Sequence, residues 1–265
     1  MIKASREYEN LVTFGCSFTT GHLLGNEGSW GFSLAKLLNC EHVNKGGGGS
    51  NTNIVTNVIN YCEINDMSNS CVGIQWSDVT RREYWDDKNG GYYTLGIGTF
   101  DPEHRIFERE TKHQNSLTFI QKNQPFFGEL WFNLAENTLR TIIAIISVKS
   151  YLKSKNIDFI MFEGINSIKN INKSFYPQNY LIDIDNPHVT DSNNFGLLKN
   201  EIRMSLLNDI TFYSELGDWM NAMRNHPHFD PSINDGHPHE EIVNWWANNL
   251  FTHIKNVENL NPKTS

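Results

Sequence analysis

Short apolar runs alternate with longer stretches of helical periodicity along this chain, and the alternation constrains the fold more than any other feature. The apolar runs at residues 10–15, 71–76 and 158–162 are typical of strands buried on both faces. A further short strand is predicted at 41–44, and helical patterns occupy 31–38, the segment after Ser50, and 129–155. Strands separated by such helices favour one three-layer αβα domain, with a central, mostly parallel sheet of about five strands.

Two segments fit this alternation poorly. One lies at about 83–127 and is rich in aromatic and charged residues, and the other, at about 166–206, is rich in Asn, Ser and Pro. We expect both to be insertions in a single domain spanning residues 1–265, either as lids or as surface padding. Within the first insertion, residues 92–95 read as a small strand.

The composition excludes several classes of partner. A net charge of -8, with no cluster of basic residues longer than Arg81 and Arg82, argues against a nucleic-acid surface. No apolar run approaches the roughly 20 residues that span a bilayer, and the first ten residues lack a signal peptide's apolar stretch. Four cysteines without paired spacing read as buried free thiols. We therefore expect a cytoplasmic protein without a membrane partner and without a cofactor.

Ser17 is the first candidate for chemistry. It lies two residues beyond Gly15, where the first strand ends, and ligands of open α/β sheets bind at the carboxyl ends of strands. A serine nucleophile needs a base, and that base needs an orienting group. His237 and Asp235, at the start of the last predicted helix, supply both. The alternative is that Ser17 bonds its local backbone and His237 caps the helix.

Two further predicted loops lie at the same edge. Four glycines at 46–49 lead into a helix that Ser50 or Asn51 can cap, and their backbone N–H groups either stabilise an oxyanion or only form a turn. After the third strand, Ser77 or Asp78 could contact a bound group and Arg81 could hold an anion. That segment could equally be an ordinary solvated loop.

A metal site is the competing interpretation of the C-terminal histidines. The residues concerned are His226, His228, Asp230 and His237, of types that make zinc sites. Ligands two residues apart with a proline between them are not a typical spacing, so a polar surface loop is favoured for His226, His228 and His239. No metal is expected.

Taken in order, these segments resemble the SGNH (GDSL-like) hydrolase superfamily. Residues 15–19 (G-C-S-F-T) resemble its first block, residues 48–51 (G-G-S-N) its second, and residues 235–238 (D-G-H-P) its last. The likeness covers the N-terminal third, residues 129–164 and the C-terminal end. It is greatest to the divergent members found in tailed bacteriophages and marine bacteria.

Two positions depart from the pattern of that superfamily. Its third block has an asparagine oxyanion donor after the third strand, within G-x-N-D, where this chain has W-S-D-V at 76–79. Its acid precedes the histidine by three residues, which is Asn234 here, whereas Asp235 precedes by two. Either Asp235 or Asn234 therefore orients His237.

The resemblance implies a flavodoxin-like fold and an esterase acting on small acyl esters, including acetylated sugars. It implies Ser17 as nucleophile, His237 as base and Asp235 as its partner, with the N–H groups of Ser17 and Gly48 holding the oxyanion. The remaining residues assigned to oxyanion or substrate binding are Ser50, Asn51, Ser77, Asp78 and Arg81. The alternative function is a binding or virion-associated protein that keeps the fold and has lost the chemistry.

Overall fold

Six strands and five helices are found in the part of the chain that the computed structural model describes, which is residues 1–21, 24–47, 49–79, 81–86, 91–95, 134–164 and 240–260. The strands are β1 (Asn10–Phe14), β2 (Glu41–Asn44), β3 (Ser70–Trp76), β4 (Arg82–Asp86), β5 (Gly91–Leu95) and β6 (Asp158–Glu163). The helices are α1 (Ser17–Thr20), α2 (Trp30–Leu38), α3 (Asn51–Ile64), α4 (Leu134–Ser154) and α5 (Glu240–Leu260), with a 3-10 turn at Asn26–Gly28.

Four strands form a parallel sheet in the order β2-β1-β3-β6. Val12 of β1 lies opposite Val43 on one side and Val72 on the other, so β1 is central. The chain moves outward from β1 to β2 and then returns across β1 to β3, which reverses the strand order. Such a reversal opens a crevice at the carboxyl ends of the two strands concerned, here β1 and β3.

Helices cover both faces of this sheet. Successive side chains of a strand point to opposite faces, so Val12 and Phe14 pack with α3 and α4 while Leu11 packs with α2 and α5. The first core contains Ile54, Val58, Val72, Ile74, Trp76, Ile142, Ile145, Val148 and Leu152. The second contains Trp30, Leu34, Cys71, Ile160, Phe162, Val243, Trp246, Leu250 and Ile254. The predicted αβα architecture is confirmed, with four strands in the described sheet where about five were expected.

Helix α5 runs antiparallel to the strands. Near its end, the Glu258 carboxylate accepts hydrogen bonds from Ser5, in the segment beside the amino end of β6. Near its start, Asn244 Oδ1 accepts from the hydroxyl of Ser33, in the first turn of α2, at 2.6 Å. Glu240 therefore lies at the carboxyl edge of the sheet.

The other predictions about the fold concern a small strand, the cysteines, the two insertions and a membrane span. The small strand expected at 92–95 is confirmed as part of β5, which pairs antiparallel with β4. All four cysteines are free thiols, as predicted. Residues 129–133 and the second insertion, 166–206, lie outside the described residues. Among the described helices, none has the length and apolar character that a bilayer crossing requires.

Candidate active site at the carboxyl edge

Ser17 is the first residue of α1, a single helical turn directly beyond β1. The sequence predicted that Ser17 lies in a loop after the strand. The structure shows that it begins a short helix instead, at the same carboxyl edge of the sheet. Because β1 and β3 flank the reversal of strand order, Ser17 lies at the crevice where α/β sheets bind ligands. The residue is half-buried.

The chain can turn into α1 only because residue 15 has no side chain. A Cβ on Gly15 would lie 2.9 Å from the carbonyl oxygen of Gln75 and would overlap the hydroxyl of Thr19. The turn that presents Ser17 is therefore pressed against the carboxyl end of β3. This close approach explains why residue 15 is a glycine.

A buried polar network anchors α1 to β3. Thr19 Oγ1 donates a hydrogen bond of 2.6 Å to Gln75 Oε1, and the indole N–H of Trp30 donates to the same oxygen at 3.1 Å. The indole N–H also lies 3.3 Å from Thr19 Oγ1. All three side chains are fully buried. Since an indole can only donate, the oxygen of the Gln75 amide must face it, which fixes the amide's orientation.

The other end of that amide faces the end of β6. Gln75 Nε2 is buried, and no hydrogen-bond partner for it is found among the described residues. A Cβ on Gly164 would come within 2.9 Å of this nitrogen, so the lack of a side chain at Gly164 leaves room for the amide.

The glycine run lies beside the Ser17 turn. Gly47 donates its N–H to the carbonyl oxygen of Gly15 at 2.9 Å, and Asn44 Nδ2 donates to the carbonyl oxygen of Thr19 at 2.9 Å. Strand β2 and the first glycines after it therefore follow β1 into the edge. Gly48, the predicted oxyanion donor, lies outside the described residues.

Ser50 and Asn51 both serve the start of α3. Ser50 caps the helix, since its hydroxyl accepts from the N–H of Thr52 at 3.1 Å. Asn51 Oδ1 accepts from the N–H of Ser77 at 2.7 Å. Its Nδ2 donates to the carbonyl oxygen of Ser77 at 3.1 Å and to Thr141 Oγ1 at 3.0 Å. Both amide N–H groups of Asn51 are therefore donated to protein groups in this arrangement.

The segment after β3 was predicted either to contact a bound group or to be an ordinary loop, and its residues differ in this respect. The Ser77 backbone is held by Asn51, while its hydroxyl is buried and has no partner among the described residues. Asp78 and Arg81 form a turn, in which the Arg81 N–H donates to the Asp78 carbonyl oxygen at 3.2 Å. The Arg81 side chain lines a cavity of about 440 Å³ beside the start of α3.

The C-terminal part of the predicted site is not among the described residues. This concerns Asp235, His237 and Asn234, and equally the alternative metal-site residues His226, His228, Asp230 and His239. No group of three or more His, Cys, Asp or Glu suited to a metal is found in the ranges that are described.

Sequence reasoning missed the Gln75 network and the neighbours of Arg81 in the cavity. Gln75 lies within the apolar run that predicts the third strand, and its polar side chain was not interpreted separately. A single amide in a run of buried residues indicates that the amide has buried hydrogen-bond partners. The cavity also involves Arg82, Asn137 and Arg140, and no local pattern connects those positions.

Two solved structures are among those similar to this chain. One, assigned to the G-D-S-L family of lipolytic proteins and from Desulfitobacterium hafniense DCB-2, is 13% identical with a TM-score of 0.47, over 92% of this chain and 98% of that one. The other, the acetyl xylan esterase Est2A from the rumen bacterium Butyrivibrio proteoclasticus, is 12% identical with a TM-score of 0.46, over 94% of this chain and 64% of that one. No protein-family model and no curated protein sequence matches the chain.

Proposed function

We propose that this chain is a serine-dependent ester hydrolase of the SGNH type, acting on small acyl or acetyl esters, including those of carbohydrates. The observation that supports it most is the position of Ser17. Its turn lies at the reversal of strand order between β1 and β3, pressed against β3 through Gly15 and pinned by Thr19. A hydroxyl presented rigidly at a binding crevice suits a nucleophile.

The base is assigned to His237 and its orienting group to Asp235. Both assignments come from the sequence, where His237 precedes the first described residue of α5 by three positions. The position of Glu240 at the carboxyl edge supports them, because three residues of extended chain span at most about 10 Å. Asn234 is the alternative orienting group.

The proposed reaction is acyl transfer from an alcohol to water. Ser17 Oγ attacks the ester carbonyl carbon while His237 takes its proton, and the carbonyl oxygen becomes an oxyanion held by the N–H groups of Ser17 and Gly48. The intermediate collapses to an acyl-Ser17 ester, and the alcohol leaves with the proton from His237. Water then attacks with the same base, releasing the carboxylic acid and restoring Ser17.

The first prediction is that a fluorophosphonate probe labels Ser17. Such a probe reacts only with an activated serine, so the intact protein should gain one adduct that peptide mass spectrometry places on Ser17. Ser17→Ala should abolish labelling. Ser154→Ala, which removes an exposed hydroxyl at the end of α4, is the matched control and should label normally.

Hydrolysis should follow the same pattern. Loss of a serine nucleophile lowers kcat by about five to six orders of magnitude, so Ser17→Ala should be inactive on p-nitrophenyl acetate. Absence of labelling between pH 6 and 9 in folded wild-type protein, or equal labelling of Ser17→Ala, would reject the esterase mechanism.

A non-catalytic binding or virion-associated protein is the second candidate. Two observations favour it. The segment after β3 has Ser77 and Asp78 where the superfamily has an asparagine donor. Asn51 donates both its amide N–H groups to protein acceptors, the Ser77 carbonyl oxygen and Thr141 Oγ1. An unlabelled but folded protein would move this candidate to first place. Loss of one oxyanion donor costs about two to three orders of magnitude in rate, so slow labelling still supports the enzyme.

A further inference from the structure

Three buried polar groups at the carboxyl end of β3 have no hydrogen-bond partner in the described part of the chain. They are Gln75 Nε2, Trp76 Nε1 and Ser77 Oγ. A buried group of this kind lowers stability, because it has given up its hydrogen bonds to water and gained none from the protein. Native structures keep few such groups, and a catalytic role is one reason for keeping them.

Two of the three groups face away from the proposed nucleophile. Trp76 packs in the core under α3 and α4. The Gln75 amide turns its oxygen towards Thr19, in the helical turn that begins with Ser17, and its nitrogen towards the end of β6. Ser77 is therefore the group that remains for the crevice.

Ser17 and Ser77 leave neighbouring strands at the same level. Phe14 of β1 is the register partner of Ile74 of β3, and each serine follows its strand's member of that pair by three positions. Adjacent strands lie about 4.8 Å apart, and the turn that bears Ser17 is pressed against the carboxyl end of β3. The topology therefore brings the two serines to the same part of the crevice.

The backbone of Ser77 is fixed on both sides. Asn51 Oδ1 accepts from its N–H at 2.7 Å, and Asn51 Nδ2 donates to its carbonyl oxygen at 3.1 Å. Only 4% of Ser77 is exposed, so bulk water is largely kept from its hydroxyl. A donor that is already in place needs no reorganisation when negative charge develops beside it, and exclusion of water strengthens its bond to that charge.

The side chains next to Ser77 do not supply such a donor. Both amide N–H groups of Asn51 are donated to protein acceptors. A carboxylate such as that of Asp78 accepts hydrogen bonds and does not donate them. The hydroxyl of Ser77 can donate, and no described residue accepts from it.

We propose that the Ser77 hydroxyl is a third oxyanion donor, which hydrogen-bonds the carbonyl oxygen of the ester as that oxygen becomes negatively charged. It acts beside the N–H groups of Ser17 and Gly48. The hydroxyl keeps its proton throughout, so the bonds that form and break are those of the acyl transfer at Ser17. The assignment rests on the proposed function, because the oxyanion exists only if Ser17 attacks an ester.

The kinetic test compares variants on p-nitrophenyl acetate. Ser77→Ala should lower kcat/KM about 100-fold or more, and should slow fluorophosphonate labelling of Ser17 in parallel, because both reactions place negative charge on an oxygen at this site. Ser77→Thr keeps the hydroxyl and should retain at least about a tenth of the wild-type kcat/KM.

Ser70→Ala is the matched control. It is the same substitution on the same strand, at a residue that is 5% exposed, but it lies at the amino end of β3 and therefore at the opposite edge of the sheet. Its kcat/KM should stay within about twofold of the wild-type value, since distant substitutions do not affect the oxyanion.

Urea denaturation separates a catalytic role of the hydroxyl from a structural one. Because the hydroxyl has no described partner, its removal leaves no other group unsatisfied. The urea midpoint of Ser77→Ala should therefore equal or exceed that of the wild-type protein while its activity is lost. A lower midpoint would show that the hydroxyl stabilises the fold, and would overturn the proposal.

The remaining outcomes distinguish this proposal from the esterase itself. Wild-type rates of hydrolysis and labelling in Ser77→Ala, or an equal loss of activity in Ser70→Ala, would overturn the role of Ser77 and leave Ser17 as the nucleophile. A folded wild-type protein that neither hydrolyses the ester nor reacts with the probe would overturn the esterase mechanism, and the oxyanion role of Ser77 with it.

Discussion

Gln75 shows at the residue scale how a polar side chain positions a candidate nucleophile. Its amide oxygen is the shared acceptor for Thr19 and Trp30, and it connects the turn bearing Ser17 to β3 and α2. Buried donors that lose their acceptor cost more than the hydrogen bond itself contributed, since no water replaces it. The network should therefore be visible in stability as well as in the geometry of the site.

We expect Gln75→Leu to lower the free energy of unfolding by about 2–4 kcal/mol, because two buried donors lose their acceptor. Trp30→Phe, which removes one of those donors, should cost about 1–3 kcal/mol through the lost hydrogen bond and packing. Urea denaturation of both single variants and the double variant measures the coupling. The double variant should be less destabilised than the sum of the two, by at least about 0.5 kcal/mol. Additive effects would contradict the network.

At the scale of elements, Asn51 joins three of them. It stands at the start of α3, bonds both backbone groups of Ser77 beyond β3, and reaches Thr141 on α4. The side-chain amide of Asn51 bonds the N–H and the carbonyl of Ser77 as the backbone of a neighbouring strand would, although Ser77 lies beyond the end of β3. Asn51 also lines the cavity of about 440 Å³ beside the start of α3.

Asn51→Ala should destabilise the protein by about 2–4 kcal/mol, because the buried N–H and carbonyl of Ser77 lose their partners. Asn53→Ala is the matched control, an identical change two residues later on the same helix and in the wall of the same cavity. It should cost less than about 1 kcal/mol. Thermal and urea denaturation of the two variants would separate them, and equal costs would contradict the bracing role.

At the scale of the whole molecule, the strand order decides where function can lie. Residues that leave the carboxyl ends of β1 and β3 come together because α2 carries the chain outward on one face and α3 carries it back on the other. His42, on β2 under α2, is a partly buried titratable residue, and its ionisation acts on the stability of the entire fold.

Burial lowers the pKa of His42 from its ordinary 6.5 to about 4. Its Nε2 lies 2.8 Å from Thr13 Oγ1 and its ring packs edge-on to Phe32. The unfolded chain binds a proton at His42 more tightly than the folded chain does. Above pH 6.5 this residue is neutral in both states and does not reduce the free energy of unfolding. As the pH falls from 6.5 towards 4, its protonation in the unfolded chain lowers the free energy of unfolding. The slope should approach about 1.4 kcal/mol per pH unit within that window.

His42→Gln tests that assignment. The variant keeps a polar side chain near Thr13 and cannot titrate, so its free energy of unfolding should vary less between pH 6.5 and 4 than that of the wild-type protein. Urea denaturation at intervals of half a pH unit measures both curves. Parallel curves across the window would assign the acid sensitivity to other groups.

The prediction of elements from sequence succeeded where the signal is local. The strands at 10–15, 41–44, 71–76 and 158–162 were placed to within a residue or two, because apolar runs and turn residues act over a few positions. Ser50 and Asn51 were both expected as possible caps for α3, and the structure shows that Ser50 is the cap. The catalytic assignment of Asp235 and His237 stays a prediction.

By itself, the sequence determined the αβα class, the free cysteines and the position of Ser17 just beyond the first strand, since each depends on local pattern or on composition. Only the tertiary structure decided the order of the strands and the partners of Gln75 and Asn51. These depend on contacts between residues 26, 56 and 90 positions apart. Such contacts arise when two helix layers pack on a sheet, because residues then meet if they lie on the same face or at the same edge of that sheet. The order of residues along the chain does not specify which face or edge they share.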